Sequence, residues 1–86
     1  MDLKLRTTGL TWHAVGSEVV VLDLDGAVYL KLNGSARVLW EALADPASLD
    51  ELTTRLVDEF GIDDERASTD AQAFVDELRR RRLLDE

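Results

Sequence analysis

The chain has 86 residues and a mass of 9.6 kDa, with 45% hydrophobic and 33% charged residues. That is room for one domain with a small core, whose modest stability a partner can reinforce. The absence of cysteine excludes disulfides, thiolate nucleophiles and zinc–thiolate sites, and the net charge of −8 works against binding the phosphate backbone of nucleic acids.

The charge is unevenly spread. Residues 1–44 hold five acids and four bases, whereas residues 45–86 hold thirteen acids and six bases. Four of those six are consecutive, Arg79 to Arg82, as suits the C-terminal end of a helix, where cations oppose the helix dipole. The opening Met1–Trp12 lacks the apolar stretch of a signal peptide, and no run approaches the roughly 20 apolar residues needed to span a bilayer. The expected compartment is the cytoplasm.

Residues 1–9 alternate Leu3 and Leu5 with Lys4 and Arg6, which suits a short extension or a frayed end. Thr11 to Val15 forms a first strand, closed by a turn at Gly16-Ser17. Glu18 to Leu24 is rich in β-branched residues and Ala27 to Leu32 alternates, so these are the second and third strands. Asp25-Gly26 between them is a strong hairpin signal. A two-residue loop there pairs Val21 with Leu30 and Val19 with Leu32 on one face, and Val20 with Lys31 and Leu22 with Tyr29 on the other. The rest is helical. Ser35 is the expected N-cap of a helix presenting Ala36, Leu39, Trp40 and Leu43, which Pro46 ends. Ser48 to Glu51 reads as a capping box opening a helix with Leu49, Leu52, Leu56 and Phe60 on one face, stopped by Gly61. A third helix from Asp63 or Asp64 places Ala67, Ala71, Phe74 and Leu78 inward and ends in the arginines. The fold class is α+β, winged-helix-like: a three-stranded antiparallel meander followed by three α-helices.

The side-chain inventory does not support an enzyme. His13 is the only histidine and sits in a strand beside Trp12, where a surface role is expected. Asp23 and Asp25 read as turn formers, and Asp63, Asp64 and Glu65 as helix-start charges, so no metal cluster is expected. Gly34 and Gly61 stand alone at element boundaries, so no phosphate loop is present. No catalytic residue and no cofactor are expected. What remains is surface. The third strand ends the meander, contains no proline and carries one charge, Lys31. Such an edge is either covered by the protein's own helix or open to an added strand from a peptide.

The stretch Val20-Val-Leu-Asp-Leu-Asp-Gly-Ala-Val-Tyr-Leu-Lys-Leu-Asn33 followed by Gly34-Ser-Ala-Arg-Val-Leu-Trp-Glu-Ala-Leu43 resembles the PqqD family. The second helix, Ser48-Leu-Asp-Glu-Leu52 to Phe60, and the third, from Asp70 through Phe74 and Leu78 to Leu84, continue the likeness. It covers about residues 11–84, the expected core of a single domain spanning 1–86. Such domains are also called RiPP recognition elements. The resemblance implies binding of a precursor's leader peptide as an added strand, in a groove between the third strand and the third helix. Carried onto this chain, the groove comprises the backbone of Val28, Tyr29, Leu30, Lys31 and Leu32. Phe74 and Leu78 would be its apolar walls, although core packing is the alternative role for both. Arg81 or Asp70 would contact polar leader groups.

The opening Leu10-Thr-Trp-His-Ala-Val-Gly-Ser-Glu-Val-Val-Val-Leu-Asp23 is most similar to stand-alone members of lasso-peptide clusters. There the domain works beside a separate leader peptidase related to transglutaminases. The alternative is the pyrroloquinoline-quinone type, which serves a radical SAM enzyme. The implied partners are a leader segment and a separate maturation enzyme, without nucleic acid or membrane, and the protein itself would be a monomer or weak homodimer. A winged-helix nucleic-acid binder is the rival class, with Arg79–Arg82 on phosphates. The −8 charge and the single arginine of the second helix weigh against it.

Overall fold

Three strands precede three helices: β1 (Leu10–Val15), β2 (Glu18–Asp23), β3 (Val28–Leu32), α1 (Gly34–Ala42), α2 (Leu49–Phe60) and α3 (Asp64–Arg80). The computed structural model describes residues 2–26 and 28–85, so Ala27, expected to begin the third strand, lies outside the described residues. The strands form one antiparallel sheet in the order β1-β2-β3, which is the expected meander and the expected α+β class.

Alternation in β2 decides which face of the sheet is buried. Val19 and Val21 are fully buried, while Val20 and Leu22 lie half-exposed on the other side. Directly paired residues share a face, so Trp12, Val21 and Leu30 form one helix-facing row. Ala14, Val19 and Leu32 form the next. Trp12 meets Trp40 of α1 edge-on, with ring centroids 6.2 Å apart. The turn between β1 and β2 is the two-residue Gly16-Ser17, where a φ of 61° suits glycine.

The helices cover that one face. α2 opens on the expected capping box of Ser48 and Glu51, and closes on Gly61, whose left-handed φ of 64° a side chain would strain. Leu52 and Leu56 of α2 are buried against Ala67, Ala71, Val75 and Leu78 of α3. Each buried Leu or Val contributes about 1.5–3 kcal/mol. Three local expectations need correction. The N-cap position of α1 is Asn33 rather than Ser35, without a side-chain capping bond, because helix follows strand after a single extended residue. Phe60, expected on the buried face of α2, is 45% exposed. Val75, not Phe74, fills the core position on α3, with Phe74 half-buried at its margin.

Residues 3–6 neither fray nor join the sheet. Leu3 pairs with Ala47 and Leu5 with Leu84, and both leucines are buried. The Arg6 N–H donates to the Leu83 carbonyl (2.8 Å), and the Asp85 N–H donates to the Lys4 carbonyl (2.7 Å). The late segment is positioned by the way α3 ends. The Leu83 N–H returns to the Leu78 carbonyl and the Arg82 N–H to that of Arg79, a Schellman arrangement in which Arg82 adopts a left-handed φ of 59°. Leu78 and Leu83, both buried, supply its hydrophobic contact.

The Arg6 side chain ties these pieces to the sheet. It donates to the Arg82 carbonyl (2.8 Å) and the Thr8 carbonyl (3.0 Å), and it pairs with the Asp23 carboxylate. That carboxylate also accepts the N–H groups of Asp25 and Gly26, each at 3.2 Å, which closes the β2–β3 turn as the role of Asp23 predicts. Burial raises the Asp23 pKa, but the Gly26 N–H, the Arg6 hydrogen bond and charge, and the Asp25 N–H outweigh it and hold the group below 3.8.

Candidate functional site

β3 is hydrogen-bonded to β2 on one side and has no partner strand on the other among the described residues. Which of its main-chain groups face outward follows from one bond. The Leu24 N–H donates to the Gly9 carbonyl at 2.8 Å, so the main chain of Leu24 faces β1. Along a strand, successive residues turn their N–H and C=O to opposite edges. Asp23, Val21 and Val19 therefore face β3, where their partners Val28, Leu30 and Leu32 answer them. Tyr29 and Lys31 are left with both main-chain groups directed off the free edge. A two-residue loop at Asp25-Gly26 would give the same residue pairs with the opposite bonding phase. The Leu24 bond to Gly9 instead turns the main chain of Leu24 away from β3, which reverses it.

Side chains alternate in step with those bonds. Tyr29 projects to the outer, helix-free face and is 61% exposed. Lys31 lies on the same face, 3.5 Å from Glu18. Leu30 and Leu32 turn toward the helices and pack against the core. Of Val28, the backbone pairing with Asp23 is described.

On α3 the residues expected at the groove fall in two rows. Leu78 is 2% exposed and belongs to the buried stripe with Ala67, Ala71 and Val75. Asp70, Phe74 and Arg81 fall on one flank of that stripe, together with Glu77. The opposite flank holds Gln72 and Arg79, which line a depression with Leu3 and Leu49. Phe74 borders the core that Leu30 and Leu32 also border. Asp70 pairs with Arg66 (3.9 Å), and Glu77 with both Arg80 and Arg81. The bridge through Arg6 sets the C-terminal end of α3 at the end of the sheet where β3 begins.

Glu77 escaped sequence reasoning because a half-buried acid beside an arginine run looks like ordinary surface charge. Arg6 escaped because its partners lie 17 and 76 residues away. The arrangement is suited to binding rather than to chemistry. An open row of donors and acceptors is bordered by apolar side chains on the helix-facing side, with an aromatic ring on the other. Among the described residues no helix is long and apolar enough to cross a membrane.

The chain matches the family model described as "Coenzyme PQQ synthesis protein D (PqqD)" over residues 18–84. Its fold is similar to that of a solved structure described as "TbiB1 in Complex with the TbiA(beta) Leader Peptide". That protein is 22% identical, and the match covers 95% of this chain and 94% of that one with a TM-score of 0.86. A second similar structure is described as "Lasso peptide synthetase B1 complexed with the leader peptide". It is also 22% identical, with all of both chains covered and a TM-score of 0.85. No curated protein matches the sequence.

Proposed function

The chain belongs to the PqqD family, and from that membership we propose that residues 1–86 form one leader-peptide-binding adaptor, a RiPP recognition element without catalytic activity or cofactor. It captures the leader of a ribosomally made precursor as a strand added to β3 and presents the precursor to a separate maturation enzyme. The observation that carries this reading is the open β3 edge, with the outward main-chain groups of Tyr29 and Lys31 available for strand addition. The peptide lies along Val28 to Leu32. Its helix-facing side chains meet Leu30, Leu32 and Phe74, with Leu78 as the packed floor behind Phe74. Asp70 and Arg81 meet its polar groups. The two similar folds described with leader peptides support the same reading.

The mechanism is tethering. A bound leader holds the remainder of the precursor at high effective concentration near the enzyme, so recognition is separated from the reaction. The leader is disordered before it binds, and its ordering is offset by main-chain hydrogen bonds and apolar contacts. The partner we favour is the transglutaminase-like leader peptidase of lasso-peptide biosynthesis, working in the cytoplasm, because one similar fold is described as a lasso peptide synthetase. A radical SAM partner is the second reading, favoured by the description of the matching family. Nucleic acid is disfavoured by the charge of −8.

Amide hydrogen exchange with a synthetic leader peptide tests the site. The Tyr29 and Lys31 N–H groups, exposed in the free protein, become protected in the complex, while those of Val28, Leu30 and Leu32 change little. Protection confined to β1 or to helix faces would overturn strand addition at β3. Precursor turnover by each candidate enzyme, with and without this protein, decides between the two partners.

A further inference from the structure

Among the described residues the sheet has a second unpaired edge, that of β1, and it is the less guarded of the two. By the same alternation, Gly9, Thr11, His13 and Val15 bond to β2, so Leu10, Trp12 and Ala14 direct their main-chain groups off the β1 edge. β1 contains no charged residue and no proline, the two devices that most simply discourage a further strand. Beside it, on the helix-facing side, lies a depression of about 240 Å³, walled in part by Leu10, Trp12, Leu43 and Pro46.

We propose that this edge docks a second copy of the chain, the two β1 strands pairing antiparallel about a two-fold axis into one six-stranded sheet. A two-fold contact brings the same surface from both sides, so the strand must suit itself. β1 does: on the helix-facing side the incoming copy presents another Leu10, Trp12 and Ala14, all apolar, beside the Leu10, Trp12, Leu43 and Pro46 wall of the depression, whose remaining wall includes Lys4 and Arg6. Charge distribution favours the same occupant. Residues 1–44, which include β1, are nearly neutral, with five acids against four bases, while the excess acid sits in residues 45–86. Pairing through β1 brings together the near-neutral parts of two acidic proteins. Pairing through β3 would instead set Lys31 against the partner edge. The arrangement leaves both β3 edges at the outer ends of the sheet, so it is independent of what β3 binds.

Sedimentation of the purified protein, without leader peptide, from micromolar to millimolar concentration tests this. The expected average mass rises from 9.6 kDa toward twice that value, and the rise steepens with added salt, which screens the like net charges. Ala14→Pro removes an outward donor without touching the β1–β2 bonds, so it folds by circular dichroism and stays monomeric. Ala14→Lys, which adds a charge at the edge, also stays monomeric. In hydrogen exchange, protection of Leu10, Trp12 and Ala14 grows with concentration while that of Thr11 and His13 does not. A wild-type protein that remains monomeric at millimolar concentration overturns the proposal. So does a folded Ala14→Pro that associates like the wild type, or protection that grows at Tyr29 and Lys31 instead.

Discussion

β1 and β3 bound the same sheet, and each leaves main-chain groups unpaired among the described residues, but they are finished differently. β3 carries Lys31, and its helix-facing leucines border the core beside Phe74. β1 is uncharged and borders a depression walled by Leu10, Trp12, Leu43 and Pro46 together with Lys4 and Arg6. A single charge on an edge weakens self-association while leaving the main chain open to a flexible peptide, which can keep its own charges clear of the lysine. An edge with no charge lacks that discrimination. The bonding phase of a strand and the face of its side chains alternate in step, so the residues of β3 that turn their main chain to the free edge, Tyr29 and Lys31, are also those whose side chains leave the helix-facing side. Tyr29 offers its main chain to one neighbour and its ring to another.

Proline substitutions give the largest contrast between an open and a bonded position. Leu30→Pro removes a donor that bonds β2 and disturbs the core, so a loss on the order of 3 kcal/mol or more is expected in chemical denaturation. Tyr29→Pro and Lys31→Pro leave the β2 bonds intact. Both are expected to fold and to lose leader affinity at least about tenfold, roughly 1.4 kcal/mol, in anisotropy titrations. Should Leu30→Pro fold well while the other two collapse, the bonding phase assigned to β3 is reversed.

Leu78→Ala and Phe74→Ala separate the floor of the β3 site from its wall. Leu78 is fully packed, so its truncation should cost about 2–5 kcal/mol of stability. Phe74→Ala should cost less stability and weaken leader binding, while self-association through β1 is unchanged by it. Equal stability losses would place Phe74 in the core and remove it from the site.

Acid should loosen the β3 side of the sheet before the β1 side. Asp23 titrates below 3.8, so the stability it contributes is complete above that value and is lost as pH falls through its lowered folded value. Between about pH 4 and more acidic conditions, exchange near the β2–β3 turn should accelerate while the Gly16-Ser17 hairpin holds. Asp23→Asn should be less stable at neutral pH and should flatten this acid dependence.

The smallest effect should come from Arg82→Gly. Relieving a left-handed residue at the end of α3 should add about 1 kcal/mol of stability, read as a higher denaturation midpoint, without altering either edge.

Much of the fold is legible because its signals are local. The β-branched run of β2, the Ser48–Glu51 box and the Gly61 stop each act within a few residues, and the β2–β3 residue pairs follow from alternation. The core positions are legible to within one residue: Phe74 and Val75 are neighbours on the helix surface, and only packing against α2 decides between them. Two features were out of reach. The outward direction of Tyr29 and Lys31 depends on the bonding phase, which the Leu24–Gly9 bond fixes and the residue pairing does not reveal. The placement of Leu3 and Leu5 depends on Ala47 and Leu84, and no local pattern announces partners that distant.

That distance has a kinetic consequence. Closing the contact between Arg6 and the Arg82 carbonyl spans 76 residues, a loop-closure cost of about 4 kcal/mol. As the ribosome delivers the chain, both hairpins and then the helices can form early, while Leu5 waits for Leu84. The Leu3–Leu5 segment is therefore a late piece to dock, whereas the Arg6–Asp23 pair, 17 residues apart, can close before it. Until that pair closes, Asp23 holds the β2–β3 turn through the Asp25 and Gly26 N–H groups alone.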